Sequence, residues 1–389
     1  MTTATMRVRG ARELLSAVPY ALGYRPTACV VVVCVRDDGA LGLVARAGLD
    51  DLADAPRRDA VADLLAHRAH EDGARVAFVV GYAAETGPGS DVVAAVDVLA
   101  AAVGALVPGC ERWVVGERKY RSLDCADPAC CPPGGSPTQE LESTAVRARL
   151  VVDGWSPAAS RDDLYRLGRA PEAARSLAGK AARRWERAAA EDRVGWRGAS
   201  YDAWVGAART GADALGPAAL GRLAAALADV PVRDAVLLWC VPGHEDAARR
   251  TARGDAGPGL EDATAAAIAS VVDAGRAAAP DPERTAAAVA VLEAVAAHAP
   301  RRLAAPALTL LAFLAWWSGD GGRAGYRLDA ALAAEPGHRL ARLLDAALRA
   351  GLPPGWLRRR TSGAGGGGPH HAGGGRRRTF DQGEEADLR

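Results

Sequence analysis

A chain of 389 residues that is 49% hydrophobic is long enough for two or three domains with real cores. Its net charge of +1 at pH 7 gives no overall field for nucleic acid or an anionic membrane. No run approaches the ~18 apolar residues of a membrane span, and Met1–Gly10 lacks the apolar core of a signal peptide. Seven cysteines, an odd number, then read as reduced thiols of a cytoplasmic protein. The basic residues are almost all arginine, Lys119 and Lys180 being the lysines, which fits the coding bias of a GC-rich genome.

In chain order, Ala11–Val18 predicts a short helix ended by Pro19, and Gly23 and Pro26 frame a turn. Ala28–Val35 is a continuous apolar run, the pattern of a strand covered on both faces. Asp37-Asp38-Gly39 is a hairpin signal that returns the chain through Leu41–Ala45. Pro56–His70 has helical spacing, Arg75–Val80 reads as a strand, and Asp91–Leu106 reads as a helix with Ser90 as its N-cap. Arg112–Val115 and Arg118–Leu123 are the last strands. Strands alternating with helices predict an α/β domain whose mixed sheet is opened by a hairpin. The glycines after Val80 are not followed by a phosphate-binding lysine and do not spell a dinucleotide fingerprint, so that loop reads as a plain connection.

Tyr120–Gly135 carries three cysteines in seven residues, Cys125, Cys130 and Cys131. A structural zinc site usually uses paired C-x2-C ligands, and adjacent cysteines rarely both reach one ion. Three readings follow: small buried thiols in a Pro-rich turn, a zinc site on Cys125, Cys130 and Cys131, or a redox pair beside Arg118, Lys119 and Arg121. A fourth zinc ligand would come from Asp124, Asp127 or Cys110. The sequence holds no nucleophile elbow and no H-E-x-x-H, so no reaction centre is spelled out.

From Ser160 the pattern is helical. Ser160-Arg161-Asp162-Asp163 resembles a capping box that opens Asp162–Leu167. Helices are expected at Pro171–Glu191, Ser200–Arg209, Pro217–Leu227, Val232–Trp239, Leu260–Ala278, Pro282–His298 and Leu303–Trp317, with the tryptophans filling core between small alanines. Ala324-x3-Leu328-x2-Ala331-x4-Pro336 has the small–large–small–proline spacing of a tetratricopeptide unit, although Leu308, Ala312 and Ala315 depart from the rest of that signature. After Gly351 a Gly/Arg/His-rich run is expected to be disordered, its charge partly offset by Glu384, Glu385 and Asp387.

The segments Glu13–Val33, Tyr120–Pro133 and Leu314–Gly351, in this order, resemble the actinobacterial family known as domain of unknown function 4192. Cys29 stands where that family more often shows serine. The resemblance implies an α/β front, a helical rear and a bacterial cytoplasmic setting, and it carries no activity, substrate or catalytic residue.

The sequence therefore predicts an α/β sandwich domain over 1–155, an all-α, tetratricopeptide-like domain over 156–352 and a disordered tail over 353–389. Its leading functional reading is a non-enzymatic interaction or scaffold module for another cytoplasmic protein, with neither a membrane nor a specific nucleic acid as partner. The alternatives are an enzyme or small-anion site at the sheet edge, on Tyr24, Arg25 and Asp124, or a zinc or thiol sensor in the cysteine loop.

Overall fold

The computed structural model describes residues 6–8, 10–362 and 380–382, and side chains over 10–358. The described residues fall in two compact units, the first made of those up to Arg166 together with Phe380–Gln382, the second beginning at Leu167.

The first unit runs β1 (Met6–Val8), α1 (Ala11–Leu22), β2 (Cys29–Arg36), β3 (Leu41–Gly48), α2 (Leu49–Ala53), α3 (Ala55–Glu71), β4 (Ala74–Tyr82), α4 (Asp91–Gly104), β5 (Gly109–Val115), β6 (Lys119–Ser122), β7 (Ser136–Pro137), α5 (Gln139–Glu142), α6 (Ala145–Val152) and α7 (Arg161–Tyr165). β2 to β7 form one sheet of order β3-β2-β4-β5-β6-β7, with the β2–β3 hairpin antiparallel and β4–β5 parallel. The expected mixed sheet opened by a hairpin is therefore present.

The valine run of β2 is buried on both faces, as its lack of alternation predicts. Val30, Val32 and Cys34 pack with α3 and α4, while Cys29, Val31, Val33 and Val35 pack with α1 and α6. Helix α4 seats closely on β4 because Gly81 has no side chain: a Cβ there would stand 2.5 Å from Val92.

Helix α1 does not stop at Pro19. It continues to Leu22 and ends at Gly23, whose left-handed φ of 82° closes it. Proline costs the ladder one donor, but Leu14, Leu15, Val18 and Tyr20 are buried on this helix, and that packing outweighs the lost bond. Ser90 occupies the cap position of α4 without capping; its hydroxyl donates to the Gly87 carbonyl instead. Ser160 does cap α7, accepting from the Asp163 backbone N–H and donating to the Asp163 carboxylate.

The second unit contains α8 (Glu172–Ala188), α9 (Arg193–Thr210), α10 (Pro217–Leu227), α11 (Val230–Cys240), α12 (Glu245–Arg253), α13 (Leu260–Val272), α14 (Pro282–His298), α15 (Ala304–Trp317), α16 (Gly321–Ala334), α17 (Arg339–Arg349) and α18 (Gly355–Ser362). One large core joins α8 to α15 around Trp204 and Trp317, each 1% exposed. A smaller cluster of Ala312, Leu328, Ala331 and Ala341 packs α15, α16 and α17 together.

α9 starts earlier than its apolar spacing suggests, because the Asp192 carboxylate accepts from Gly195 N–H and caps it. α13 ends early, where the Asp273 carboxylate accepts from Gly275 N–H in a turn. Of the tail expected to lack structure, Gly355–Ser362 is helical. Gly355 fits against Ala277 and Asp273, and the Trp356 indole donates to the Trp317 carbonyl at 2.8 Å. β8 (Phe380–Gln382) pairs in parallel with β1. The rest of that expectation, over 363–379 and 383–389, lies outside the described residues. No helix among the described residues is long and apolar enough to cross a membrane.

Candidate functional sites

The three loop thiols come together. The Cys125, Cys130 and Cys131 sulfurs all lie within 4.8 Å of one another. The Cys131 thiol donates to the Cys130 sulfur at 3.9 Å, so these adjacent residues do reach one point. The loop is folded to do this. Ser122 Oγ accepts from the Asp124 and Cys125 backbone N–H groups, Cys131 N–H donates to the Asp127 carbonyl, and Gly135 N–H donates to the Pro132 carbonyl.

Tetrahedral zinc with bonds of about 2.3 Å sets neighbouring sulfurs about 3.8 Å apart. The Cys130–Cys131 spacing already matches that edge. Burial pushes the Cys131 thiol up to about 11, with hydrogen bonds to Cys125 and Cys130 acting in the same direction; the Ser122 backbone N–H opposes them by facing the sulfur. Cys125 and Cys131 are half-buried and Cys130 is exposed, so solvent and ions reach the cluster. Among the described residues no histidine, aspartate, glutamate or further cysteine joins it as a fourth ligand.

Tyr24, Arg25 and Asp124 do not form one site. A short parallel bridge fixes Tyr24 and Arg25 to Ala158, with Arg25 N–H donating to the Ala158 carbonyl at 3.0 Å. Tyr24 is buried edge-on against Tyr165, and Arg25 is exposed, 4.0 Å from Glu142. Asp124 follows β6, on the far side of β4 and β5 from β2, and accepts from Arg112 through both its backbone N–H and its Nε, each at 2.7 Å.

The edge near Arg25 does hold a polar cluster, built from other residues. Cys29 opens β2, and its register partners are Tyr82 at the end of β4 and Gly48 at the end of β3. Arg46, opposite Val31, shares that face. Burial raises the Cys29 thiol, while the Arg46 guanidinium bonded to its sulfur, the Thr27 backbone N–H and Arg161 pull the other way. Burial also raises the Tyr82 phenol, with Cys29 beside it adding to the shift. The sequence flagged neither Arg46 nor Tyr82. Arg46 is the one charge in the strand Leu41–Gly48, and Tyr82 closes an apolar run, which are the signals that were present.

In the helical unit, α8 presents Lys180, Arg183, Arg184 and Arg187 at the i, i+3, i+4, i+7 spacing of one face. With Leu177 and the start of α10 at Gly216–Ala218 they line an open groove of about 1010 Å³. Glu186 beside them is held by Arg302 at 2.6 Å, and among the described residues none of the four cations forms an ion pair.

The family model described as "Domain of unknown function (DUF4192)" matches the chain over residues 12–279 and 276–355. No curated protein and no solved structure matches it.

Proposed function

Because the chain belongs to the DUF4192 family, a domain of unknown function whose membership carries no chemistry of its own, we propose from its residues that the first unit binds a soft metal ion, zinc foremost, on Cys125, Cys130 and Cys131. The observation that carries this reading is the mutual approach of the three sulfurs to within 4.8 Å. Thiolate sets select zinc or copper(I) over hard cations. Three thiolates leave one tetrahedral position for water or an external ligand. A partly exposed site with an open position favours exchange over permanent structural closure, which suits a sensor of metal or thiol state. Protein purified from zinc-supplemented cells under reducing conditions should hold about one zinc per chain, lost in Cys130→Ser. Cobalt(II) in its place should show thiolate charge-transfer absorption. Verified reduced thiols with neither retained zinc nor a cobalt–thiolate band would overturn the reading; a copper(I) arm separates the two soft ions.

A second reading concerns the helical unit, and the unpaired basic face of α8 favours it. The groove combines cations with the apolar side chains of Leu177, Pro217 and Ala218, a surface that suits an acidic protein segment with an aliphatic anchor. A labelled Glu/Asp/Leu peptide should bind, weaken as salt rises and lose at least about tenfold in affinity with Arg183→Glu/Arg187→Glu. Binding indifferent to those charges would end it.

A further inference from the structure

Two buried hydrogen-bond donors at one edge of the sheet have no acceptor. The Tyr82 hydroxyl is fully buried without a partner, and Tyr82 as a residue is 6% exposed. Arg46 Nε is likewise buried and unpartnered. Native proteins rarely leave such groups orphaned; Arg46 as a residue is half-buried, and its Nη atoms stand near Asp51 at Gly48. Strand register brings them together: Tyr82 is the partner of Cys29 across β2–β4, and Arg46 stands two residues from Gly48, the partner of Cys29 across β2–β3, on the same face. They therefore meet around one point.

We propose that this point is a binding site for a small oxyanion, a phosphate or carboxylate group, held by Arg46 and Tyr82 over Cys29. The set is one of donors: a guanidinium, a phenol and a thiol, with Arg161 adding positive potential from the start of α7. Asp51 Oδ2 and the Arg46 Nη1 and Nη2 atoms stand 3.3, 3.7 and 3.8 Å from where a Gly48 Cβ would lie, so one carboxylate flanks the guanidinium, and that carboxylate also pairs with Arg57 at 2.5 Å. The site sits beyond the carboxyl ends of the parallel strands β4 and β5, where open α/β sheets take ligands. Cys29 itself is covered, and solvent comes nearest the site at Thr27 and Ala28, which are exposed. Ala28 holds a left-handed φ of 46°, the one non-glycine residue to do so among the described residues. That conformation turns the chain sharply at the rim of the site.

The proposal is tested on the full chain by following the thermal midpoint with inorganic phosphate, sulfate and acetate, each against chloride at matched ionic strength. A saturable rise is expected with at least one of them, and the anion that gives it identifies a phosphate or a carboxylate ligand. Arg46→Met should abolish the rise or weaken binding at least about tenfold, and Tyr82→Phe should weaken it about fivefold. Arg46→Met should keep a single cooperative unfolding transition without anion, so that loss of the rise reads as lost binding and not as lost fold. Arg342→Met, an exposed position on α17 of the helical unit, should change nothing. No anion-specific rise up to about 50 mM, or a rise that survives Arg46→Met, would overturn the proposal; the limit is far above useful affinities.

Discussion

Gly221 on α10 lies directly against the main chain of Ala178 on α8: a Cβ on Gly221 would stand 2.1 Å from the Ala178 carbonyl oxygen. The obstacle is backbone and cannot rotate away, so α8 and α10 must separate to admit a methyl group. Gly221→Ala should destabilise the helical unit by about 3 kcal/mol, the upper range for overpacking. It would be read as a lowered thermal midpoint. The same variant should weaken peptide binding in the α8 groove, since Gly216–Ala218 forms the groove's other wall.

Asp229 is buried and accepts from two arginines, Arg193 at 2.7 Å and Arg197 at 2.9 Å. Removing the carboxylate leaves Arg197, whose side chain is mostly covered, without its counter-charge. Asp229→Ala should cost about 3 kcal/mol, and Asp229→Asn less because it keeps one acceptor. Denaturant unfolding of the three proteins side by side measures this.

His338 caps α17: its Nδ1 accepts from Ala341 N–H at 3.3 Å and lies 3.4 Å from Thr309 Oγ1. Burial holds its pKa below the ordinary 6.5, and only Glu335 pulls the other way. The folded state therefore binds fewer protons than the unfolded state once pH drops past 6.5. The histidine's contribution is present above that value and is lost as pH falls through the depressed folded value, with a slope of at most about 1.4 kcal/mol per pH unit. A pH series of thermal midpoints should show this slope, and His338→Gln should flatten it.

Metal binding must displace the Cys131 proton, which burial holds up to about 11. At neutral pH that thiol is protonated, so apparent zinc affinity should rise at least about tenfold per pH unit between 6 and 8. Competition with a chelator of known pH dependence checks the slope. A flat profile would mean that Cys131 is not a ligand.

The sequence made legible what depends on local chemistry. Pro217–Leu227 and Pro282–His298 match their helices end to end because proline fits the first turn and the alanine and leucine spacing is regular. α12 went unread because its buried side chains are only Ala247, Ala248 and Ala252, too small to stand out among its charges. α5 and α6 went unread for a similar reason, burying only Leu141, Val146 and Leu150 between them.

Among the sites, the cysteine loop was visible as composition, while the 3.9 Å approach of neighbouring sulfurs depends on the Ser122 and Asp127 turns. Tyr82, Arg46 and Cys29 come from three strands, and their meeting is fixed by strand register, which residue types alone do not set. Tyr24 lies at the bridge to Ala158, while Asp124 accepts from Arg112 beyond β6, a separation that residue types alone do not show.

Cys29, Cys34 and Cys240 are sealed in the interior, and burial lifts the thiols of Cys34 and Cys240 to about 12. Electrophiles and oxidants arriving from outside therefore find Cys130 first, on a loop where covalent capture blocks the cluster without prying open either core. A mass tag on that single side chain would report whether the loop is empty or filled, in the intact molecule and without unfolding it.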